Sequence, residues 1–276
     1  MQAGTNGYIE LPDGRIYYET AGEGETLVLV HAGFVDSRMW DDQWDEFTRA
    51  YRVIRFDMRG YGRSSPPDEP VSNRRDLLSV LEHLGVERAH FLGCSLGGGT
   101  VLDFALERPE MVLSLTLVCA TPGGFELQGE PPPHLFEMIA ALQEGDLERG
   151  SELQIRIWVD GMFRQPEQVD QAVRQRAAEM NRISIENGMW AKAGPPPDAR
   201  LEPPAVERLD EIRVPTLLIV GALDHPEILR GVDLLATEIE GARKVVLPDS
   251  AHLPNMERPE EFNRAVLGFL GEVQST

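Results

Sequence analysis

Ser95 has neighbours of the kind that make a hydroxyl group reactive. It lies in the segment GCSLGG at 93–98, after an apolar run at 89–92 and before a helix-like stretch at 100–106. Small residues on both sides allow a very sharp turn from a strand into a helix, which exposes the hydroxyl. The N-terminus of the helix then stabilises an anion formed there. The spacing predicts a nucleophile, although a solvated serine in a glycine-rich loop would show the same short pattern.

A serine nucleophile needs a base to remove its proton. The sequence has six histidines, and His252 follows the apolar run 244–247 by a few residues. The carboxyl ends of parallel strands meet at one edge of a sheet, so His252 is expected at the same edge as Ser95. We therefore predict that His252 is the base.

The base in turn needs an acid that orients its ring. Asp224 comes directly after the apolar run 216–220 and can reach a histidine on the neighbouring loop, whereas Asp249 lies three residues before His252. Asp224 is the predicted acid, with Asp249 as the alternative and a helix N-cap as the other role open to Asp224. The chain order serine, aspartate, histidine is that of a known type of catalytic triad.

The oxyanion formed at the attacked carbonyl needs backbone N–H donors. Leu96, at the start of the helix, is expected to supply one. The loop HAGF at 31–34 is expected to supply the other, from Gly33 or, as the alternative, from Phe34, whose ring can also line the pocket. Cys94 is expected to be a small packed side chain, because no base is predicted beside it.

The elements around these residues alternate between short β-branched runs and longer helical patterns, which is typical of a mostly parallel sheet flanked by helices. An opening hairpin is expected around the turn Pro12-Asp13-Gly14. The predicted strands are 9–11, 15–19, 26–30, 52–56, 89–92, 113–119, 216–220 and 244–247. The predicted helices of this layer are 39–49, 74–84, 100–107, 228–239 and 259–273. The fold class is therefore α/β, with about eight strands.

The alternation stops in the segment 122–204, which begins and ends in proline clusters and is helical at 134–142, 146–162 and 167–187. Proline clusters end helices and stiffen connections, so we predict a helical cap at 122–204 inserted into a core domain of 1–121 and 205–276. Trp158, Met162 and Trp190 are expected to line the substrate pocket together with Phe34. The alternative is a helical segment that only packs on the core domain.

Composition excludes several function classes. The net charge of −20 disfavours nucleic acid and anionic membrane surfaces as partners, and the sequence lacks a long apolar run or a secretory signal. Cys94 and Cys119 do not suggest a disulfide framework, so a reduced, cytoplasmic protein is expected. The sequence predicts neither a cofactor nor a metal site, and it leaves the oligomeric state open.

Four motifs together resemble the serine α/β-hydrolase superfamily: HAGF at 31–34, DMRGYGRS at 57–64, GCSLGG at 93–98 and AHLPNMERP at 251–259. The resemblance implies the α/β-hydrolase fold with an eight-stranded, mostly parallel sheet and a helical cap. Serine at position 95 departs from the haloalkane dehalogenases and epoxide hydrolases, which use aspartate there. Carbon–carbon bond hydrolases often carry asparagine and tryptophan where this chain has Cys94 and Leu253.

The resemblance implies a cofactor-free carboxylesterase that cleaves small carboxylic esters or lactones through an acyl-enzyme on Ser95. The ending HLPNME at 252–257 and the segment MWDDQ at 39–43 look similar to 3-oxoadipate enol-lactonases and small carboxylesterases. An enol-lactonase or a carbon–carbon bond hydrolase specific for one metabolite is the alternative. A non-catalytic receptor with the same fold is the third possibility. An anionic substrate would require arginines of the cap, such as Arg156, Arg164 or Arg182, to point inward.

Overall fold

An eight-stranded sheet forms the centre of the computed structural model, which describes residues 4–192, 196 and 199–275. The strands lie side by side in the order β1-β2-β4-β3-β5-β6-β7-β8. β1 pairs with β2 and β2 with β4 in antiparallel register, and each further neighbouring pair is parallel. Their bounds are β1 Thr5–Leu11, β2 Gly14–Ala21, β3 Thr26–Val30, β4 Arg52–Phe56, β5 Ala89–Cys94, β6 Val112–Val118, β7 Thr216–Gly221 and β8 Arg243–Leu247. The predicted α/β fold with a mostly parallel eight-stranded sheet is confirmed.

Helices connect the strands and cover the sheet. Their bounds are α1 Asp41–Phe47, α2 Asn73–His83, α3 Leu96–Glu107, α4 Leu135–Gln143, α5 Leu147–Ile155, α6 Gln171–Glu186, α7 Pro226–Glu238, α8 Pro254–Glu257 and α9 Pro259–Gln274. α3 packs on β5, β6 and α2, while α9 packs on α1, α8, β6 and β8. Every residue of β3, β5 and β7 is buried, as expected for central parallel strands that are covered on both faces. None of the helices in the described ranges is long and apolar enough to cross a membrane.

The segment between β6 and β7 carries α4, α5 and α6, which pack on one another around a small apolar cluster of their own. Its buried members are Met138, Leu142, Leu153, Ile157 and Ile185. The separate cluster supports the predicted division of the chain, although the boundaries at 122 and 204 stay a prediction. Positions 195 and 197 of the closing proline cluster lie outside the described residues.

The helix predicted over 146–162 is shorter in the structure. α5 ends at Ile155 and continues as a single π-helical turn over Arg156–Asp160, which Gly161 terminates with a φ of 72°. A Cβ on Gly161 would lie 2.9 Å from the carbonyl oxygen of Leu223, in the loop after β7. The π-helical turn thus ends at a glycine with a positive φ that lies against the core domain.

Candidate active site

Ser95 alone connects β5, which ends at Cys94, to α3, which begins at Leu96. Its φ of 51° and ψ of −114° lie in a region that L-amino acids rarely adopt. The turn is held by a 2.8 Å hydrogen bond from Ser95 N–H to Val118 O and a 2.9 Å bond from Gly99 N–H to Ser95 O. Backbone strain of this kind concentrates at functional sites, where the surrounding structure maintains it.

The glycines on either side of Ser95 are required by close backbone contacts. A Cβ on Gly93 would lie 2.4 Å from Gly97 O, and a Cβ on Gly97 would lie 2.4 Å from Val30 O. Both distances are far below van der Waals contact, so any side chain at either position would force β3, β5 and α3 apart. The spacing of glycine around Ser95 is therefore a packing requirement of the turn itself.

His252 and Asp224 form a buried hydrogen-bonded pair. His252 Nδ1 lies 2.7 Å from Asp224 Oδ2, and the two side chains are 1% and 2% exposed. The other carboxylate oxygen accepts a 2.7 Å hydrogen bond from the backbone N–H of His225. With Nδ1 committed to Asp224, Nε2 is the ring nitrogen that can accept a proton from a nucleophile.

Two alternatives remained from the sequence: Asp249 as the acid, and an N-cap role for Asp224. Asp249 is exposed, and its carbonyl accepts a 3.3 Å hydrogen bond from Arg164 Nη1. His225 caps α7, because its side chain accepts a hydrogen bond from Glu227 N–H at 3.2 Å. Asp224 is thus the carboxylate that contacts His252, and His225 rather than Asp224 caps α7.

Two cysteines connect the serine turn to the histidine–aspartate pair. Cys94, next to Ser95, donates a weak 3.7 Å hydrogen bond to His252 O. Cys119, which lines the same cavity as Ser95, has its sulfur within 4.8 Å of donor atoms of both Asp224 and His252. The structure thus brings Ser95, Asp224 and His252 to one edge of the sheet.

Cys119, Asp224 and His252 are also the one group in the described part of the chain whose donor atoms are grouped closely enough to hold a metal ion. Burial, and then the carboxylate of Asp224, raise the pKa of the Cys119 thiol well above its usual range. The same causes raise the pKa of Cys94. Protonated thiols are poor metal ligands and poor nucleophiles, so neither cysteine competes with Ser95 for its role.

The loop after β3 carries the expected oxyanion donors. Gly33 packs directly against Leu96, since a Cβ on Gly33 would lie 3.0 Å from Leu96 Cδ2. Leu96 is the first residue of α3, so its N–H has no intrahelical acceptor. The two predicted donor residues are therefore neighbours in space.

Three residues that the sequence did not single out hold this loop in place. Tyr61 Oη donates a 2.9 Å hydrogen bond to Gly33 O. Asn181 of α6 donates from Nδ2 to Phe34 O at 3.0 Å. His31 accepts from Met58 N–H at Nε2, 2.9 Å away, and therefore donates from Nδ1 to Ala32 O at 2.8 Å. His31 and Tyr61 lie within the HAGF and DMRGYGRS motifs, and Asn181 is a polar residue at a buried position of the amphipathic helix α6.

Two aromatic side chains lie beside the His252 ring. The Trp158 ring centroid lies 4.5 Å from that of His252, and the Phe34 centroid lies 6.2 Å from it. Trp158 O also accepts a 3.3 Å hydrogen bond from His252 N–H. The inserted segment therefore contacts the predicted base directly.

Two cavities meet at the serine turn, and both are lined by Leu96 and Asn73. The first, of about 380 Å³, is lined by Ser95, Thr100, Cys119, Arg74 and Asp103 among others. The second, of about 270 Å³, contains Gly33 and the apolar side chains of Tyr61, Val71, Met138, Met189 and Trp190. The first cavity thus contains the charged residues Arg74 and Asp103, and the second is also lined by Gln154 and Lys192.

The pocket residues predicted from the inserted segment divide in two groups. Trp158 packs against the His252 ring. Trp190 lines the cavity that contains Gly33. Met162 is 42% exposed and lines a different, smaller cavity beside His225. The structure therefore does not place Met162 with the other predicted pocket residues.

The arginines of the inserted segment are engaged elsewhere. Arg156, Arg164 and Arg182 form ion pairs with Glu152, Glu257 and Glu186. The arginine that lines the Ser95 cavity is Arg74, at the start of α2.

Comparisons with known proteins show the family of the chain. The family model described as alpha/beta hydrolase family matches residues 27–265. The chain is 30% identical to 2-hydroxy-6-oxononadienedioate/2-hydroxy-6-oxononatrienedioate hydrolase of Paraburkholderia phymatum, over 98% of this chain and 97% of that protein. It is 28% identical to 2-hydroxy-6-oxo-6-phenylhexa-2,4-dienoate hydrolase of Comamonas testosteroni, over 95% and 93%. The solved structure of a hydrolase from Pseudomonas aeruginosa superposes with a TM-score of 0.78 at 30% identity, covering 98% of this chain and 100% of that one.

Proposed function

Because the chain belongs to the alpha/beta hydrolase family, we propose that it hydrolyses a carbonyl compound through an acyl-enzyme on Ser95. His252 is the base, and Asp224 fixes its tautomer and stabilises the imidazolium. The observation that carries this proposal is the 2.7 Å bond between Asp224 and His252 at the sheet edge where Ser95 forms its strained turn. Leu96 and Gly33, with Phe34 as the alternative to Gly33, donate N–H groups to the oxyanion.

The substrate class that we propose is a 2-hydroxy-6-oxo-dienoic acid, cleaved at the carbon–carbon bond next to the 6-oxo group. Both relatives described above are named for hydrolysis of such acids. They support this alternative more strongly than the simple carboxylesterase that the motifs first suggest. The cavity beside Gly33 has room for the acyl side, and the cavity lined by Arg74 and Asp103 has room for the acid side.

The reaction balances with the residues in place. Ser95 Oγ attacks the carbonyl carbon and its proton passes to His252 Nε2, while the oxyanion is held by the two N–H groups. This cleavage acts on the 2-oxo tautomer of the substrate, which forms when the 2-hydroxyl group loses its proton and C5 gains one. The bond from C6 to C5 then breaks, and its electron pair is delocalised through the C3–C4 double bond onto the 2-oxo group. The departing dienolate takes up the proton held by His252 and becomes the 2-hydroxydienoic acid. Water, deprotonated by the same histidine, hydrolyses the acyl-enzyme and restores Ser95.

Ester or lactone hydrolysis is the second candidate, because the same machinery returns the proton to a leaving oxygen. The observation that favours it is local: carbon–carbon bond hydrolases often carry asparagine and tryptophan at the places of Cys94 and Leu253, and both of these residues are fully buried here. For either substrate class, we propose that residues 122–204 act as a cap over the site. Trp158 and Trp190 would limit the size of the bound substrate.

Turnover of two substrates tests the proposal. We expect the protein to hydrolyse 2-hydroxy-6-oxo-6-phenylhexa-2,4-dienoate with a higher kcat/KM than p-nitrophenyl acetate. Ser95→Ala should lower kcat for both by ~10⁴ or more, as in other triad enzymes. Mass spectrometry of the quenched reaction should show an acyl group on Ser95.

The outcomes separate the candidates. Turnover of the ester alone would favour the second candidate, while turnover of neither substrate would leave a receptor with the hydrolase fold. A Ser95→Ala variant that keeps more than about a tenth of the wild-type kcat would remove Ser95 from the mechanism.

A further inference from the structure

We propose that Arg74 and Asp103 form a carboxylate-binding subsite in the Ser95 cavity. The inference deepens the proposed function and rests on it only for the identity of the substrate. It assigns a recognition role to two side chains that the reaction itself does not use.

Arg74 is buried but only partly paired. Its side chain is 10% exposed, and Nη2 donates a 2.5 Å hydrogen bond to Ala199 O. Nη1 has no hydrogen-bond acceptor among the residues that the structure describes, and it lies 3.5 Å from Glu107 Oε2. A buried guanidinium N–H without an acceptor costs free energy, and a ligand oxygen would remove that cost.

Asp103 also carries a buried polar atom without a hydrogen-bond partner in the described ranges. Its Oδ1 is buried and has no donor within the described ranges. It lines the same cavity as Arg74, Ser95 and Thr100. Arg74 and Asp103 both line this cavity, and each carries one buried polar atom that has no partner in the described ranges. A donor and an acceptor of this kind indicate a place for a polar group of a ligand.

The distance to the nucleophile suits a substrate of moderate length. Asp103 lies eight residues after Ser95 along the helical path of α3, which corresponds to about 12 Å of axial rise. An extended chain of six carbons, counted from the carboxylate carbon to the attacked carbonyl carbon, covers roughly half of this, and the side chains of Arg74 and Asp103 reach into the remainder.

The charges around the subsite determine the protonation of Asp103 on binding. Burial raises the pKa of Asp103 to about 6, and Glu107 also raises it, while Arg74 and Arg208 lower it. Arg200 and Glu202 line the cavity on the other side of Asp103. A ligand carboxylate next to Asp103 would repel its charged form, so we expect Asp103 to take up a proton and donate it to the ligand as a hydrogen bond. Arg74 Nη1 then provides the charge-assisted bond.

The test measures binding of phenylacetate and its neutral isostere phenylacetamide to the full chain by ligand-observed NMR titration. This readout needs no turnover. We expect the Kd of phenylacetate to rise by about tenfold or more between pH 6 and pH 8, because one proton is taken up. Arg74→Gln should weaken phenylacetate binding at pH 6 by about tenfold or more.

Asp103→Asn gives a sharper result. The amide is a neutral donor like the protonated acid, so this variant should bind phenylacetate at pH 8 about as well as the wild type does at pH 6. Arg213→Gln is the matched control, since Arg213 is 68% exposed and pairs with Glu240. Arg74→Lys retains the charge should Arg74→Gln fold poorly, and it should recover part of the binding.

Equal affinity of phenylacetate for the wild type and a folded Arg74→Gln variant would overturn the subsite, as would the absence of binding to the wild type. Tighter binding of phenylacetamide than of phenylacetate at pH 6 would do the same, in favour of an amide ligand. If the dienoate is not hydrolysed but these binding results hold, the proposed reaction fails and the subsite stands. If the wild type and Arg74→Gln hydrolyse the dienoate equally well, the proposed reaction stands and the subsite fails.

Discussion

Trp158 of the inserted segment contacts His252 twice: its ring centroid lies 4.5 Å from the imidazole, and its carbonyl accepts the His252 N–H at 3.3 Å. One contact fixes the ring and the other fixes the backbone of the loop that carries it. A residue far from the sheet in sequence therefore helps to set the position of the predicted base.

Trp158→Ala should lower kcat for any substrate by about tenfold or more, because the loss of packing allows the His252 ring to move, and a misplacement of 1 Å is costly in catalysis. Trp158→Phe keeps a ring and should retain most of the activity. Steady-state kinetics of both variants, with circular dichroism to check folding, would measure this. Full activity of a folded Trp158→Ala would mean that the contact is only structural.

Asp224→Asn should lower kcat by ~10⁴, because the amide favours the wrong tautomer of His252. Asp249→Asn should change kcat by less than about threefold, because Asp249 is exposed and is not a hydrogen-bond partner of His252 within the described residues. The two variants can be compared in the same assay. A larger loss in Asp249→Asn than in Asp224→Asn would assign the acid role to Asp249.

Asp103→Asn should stabilise the protein at neutral pH. The folded pKa of Asp103 is raised from 3.8 to about 6, chiefly by burial, so between these values the folded state binds more protons than the unfolded state. The wild type therefore loses stability as pH rises through this range, by up to roughly 3 kcal/mol, whereas the variant does not. Urea unfolding at pH 3.5, 5 and 7.5 should show no difference at the lowest pH and a growing advantage for Asp103→Asn above it. A constant difference at all three pH values would contradict the titration of Asp103.

Gly97→Ala should destabilise the fold by about 1–3 kcal/mol or more, because the new methyl group would lie 2.4 Å from Val30 O and 2.5 Å from His31 O. Gly268→Ala is the matched control, since a Cβ on this residue of α9 meets no atom within 4 Å. It should be neutral or slightly stabilising in the same urea titration. Equal stability of the two variants would show that the serine turn tolerates a side chain.

The sequence predicted every strand except β1 within two residues, because each central strand is a short β-branched run with turn residues at its ends. β3 and β4 have the predicted bounds, whereas β1 begins at Thr5, four residues before the predicted start. The proposed catalytic residues could be selected because each lies within a few residues after such a run. The end of α5 could not be predicted, since the π-helical turn that follows it ends at Gly161, which lies against Leu223, 62 positions further along the chain.

Arg74 and Cys119 show the limit of reading residues by their local pattern. Both are ordinary members of predicted elements, and their proximity to Ser95 arises only when α2, α3 and β6 are packed together. An unpartnered buried atom is a property of the packed structure. No spacing rule in the sequence could have revealed that Arg74 retains an N–H group without an acceptor in the described part of the chain.

The reactivity of the two buried thiols can be used to measure how often the structure around the predicted catalytic residues opens. Cys94 and Cys119 are both 0% exposed, and burial raises the pKa of each. A thiol reagent can therefore react with them only in molecules in which the structure around the carboxyl ends of β5 and β6 has transiently opened. At low reagent concentration the labelling rate equals the opening equilibrium constant multiplied by the rate for a free thiol, so it gives the local unfolding free energy of this region. A bound substrate analogue that bridges this region should slow the labelling of both cysteines together.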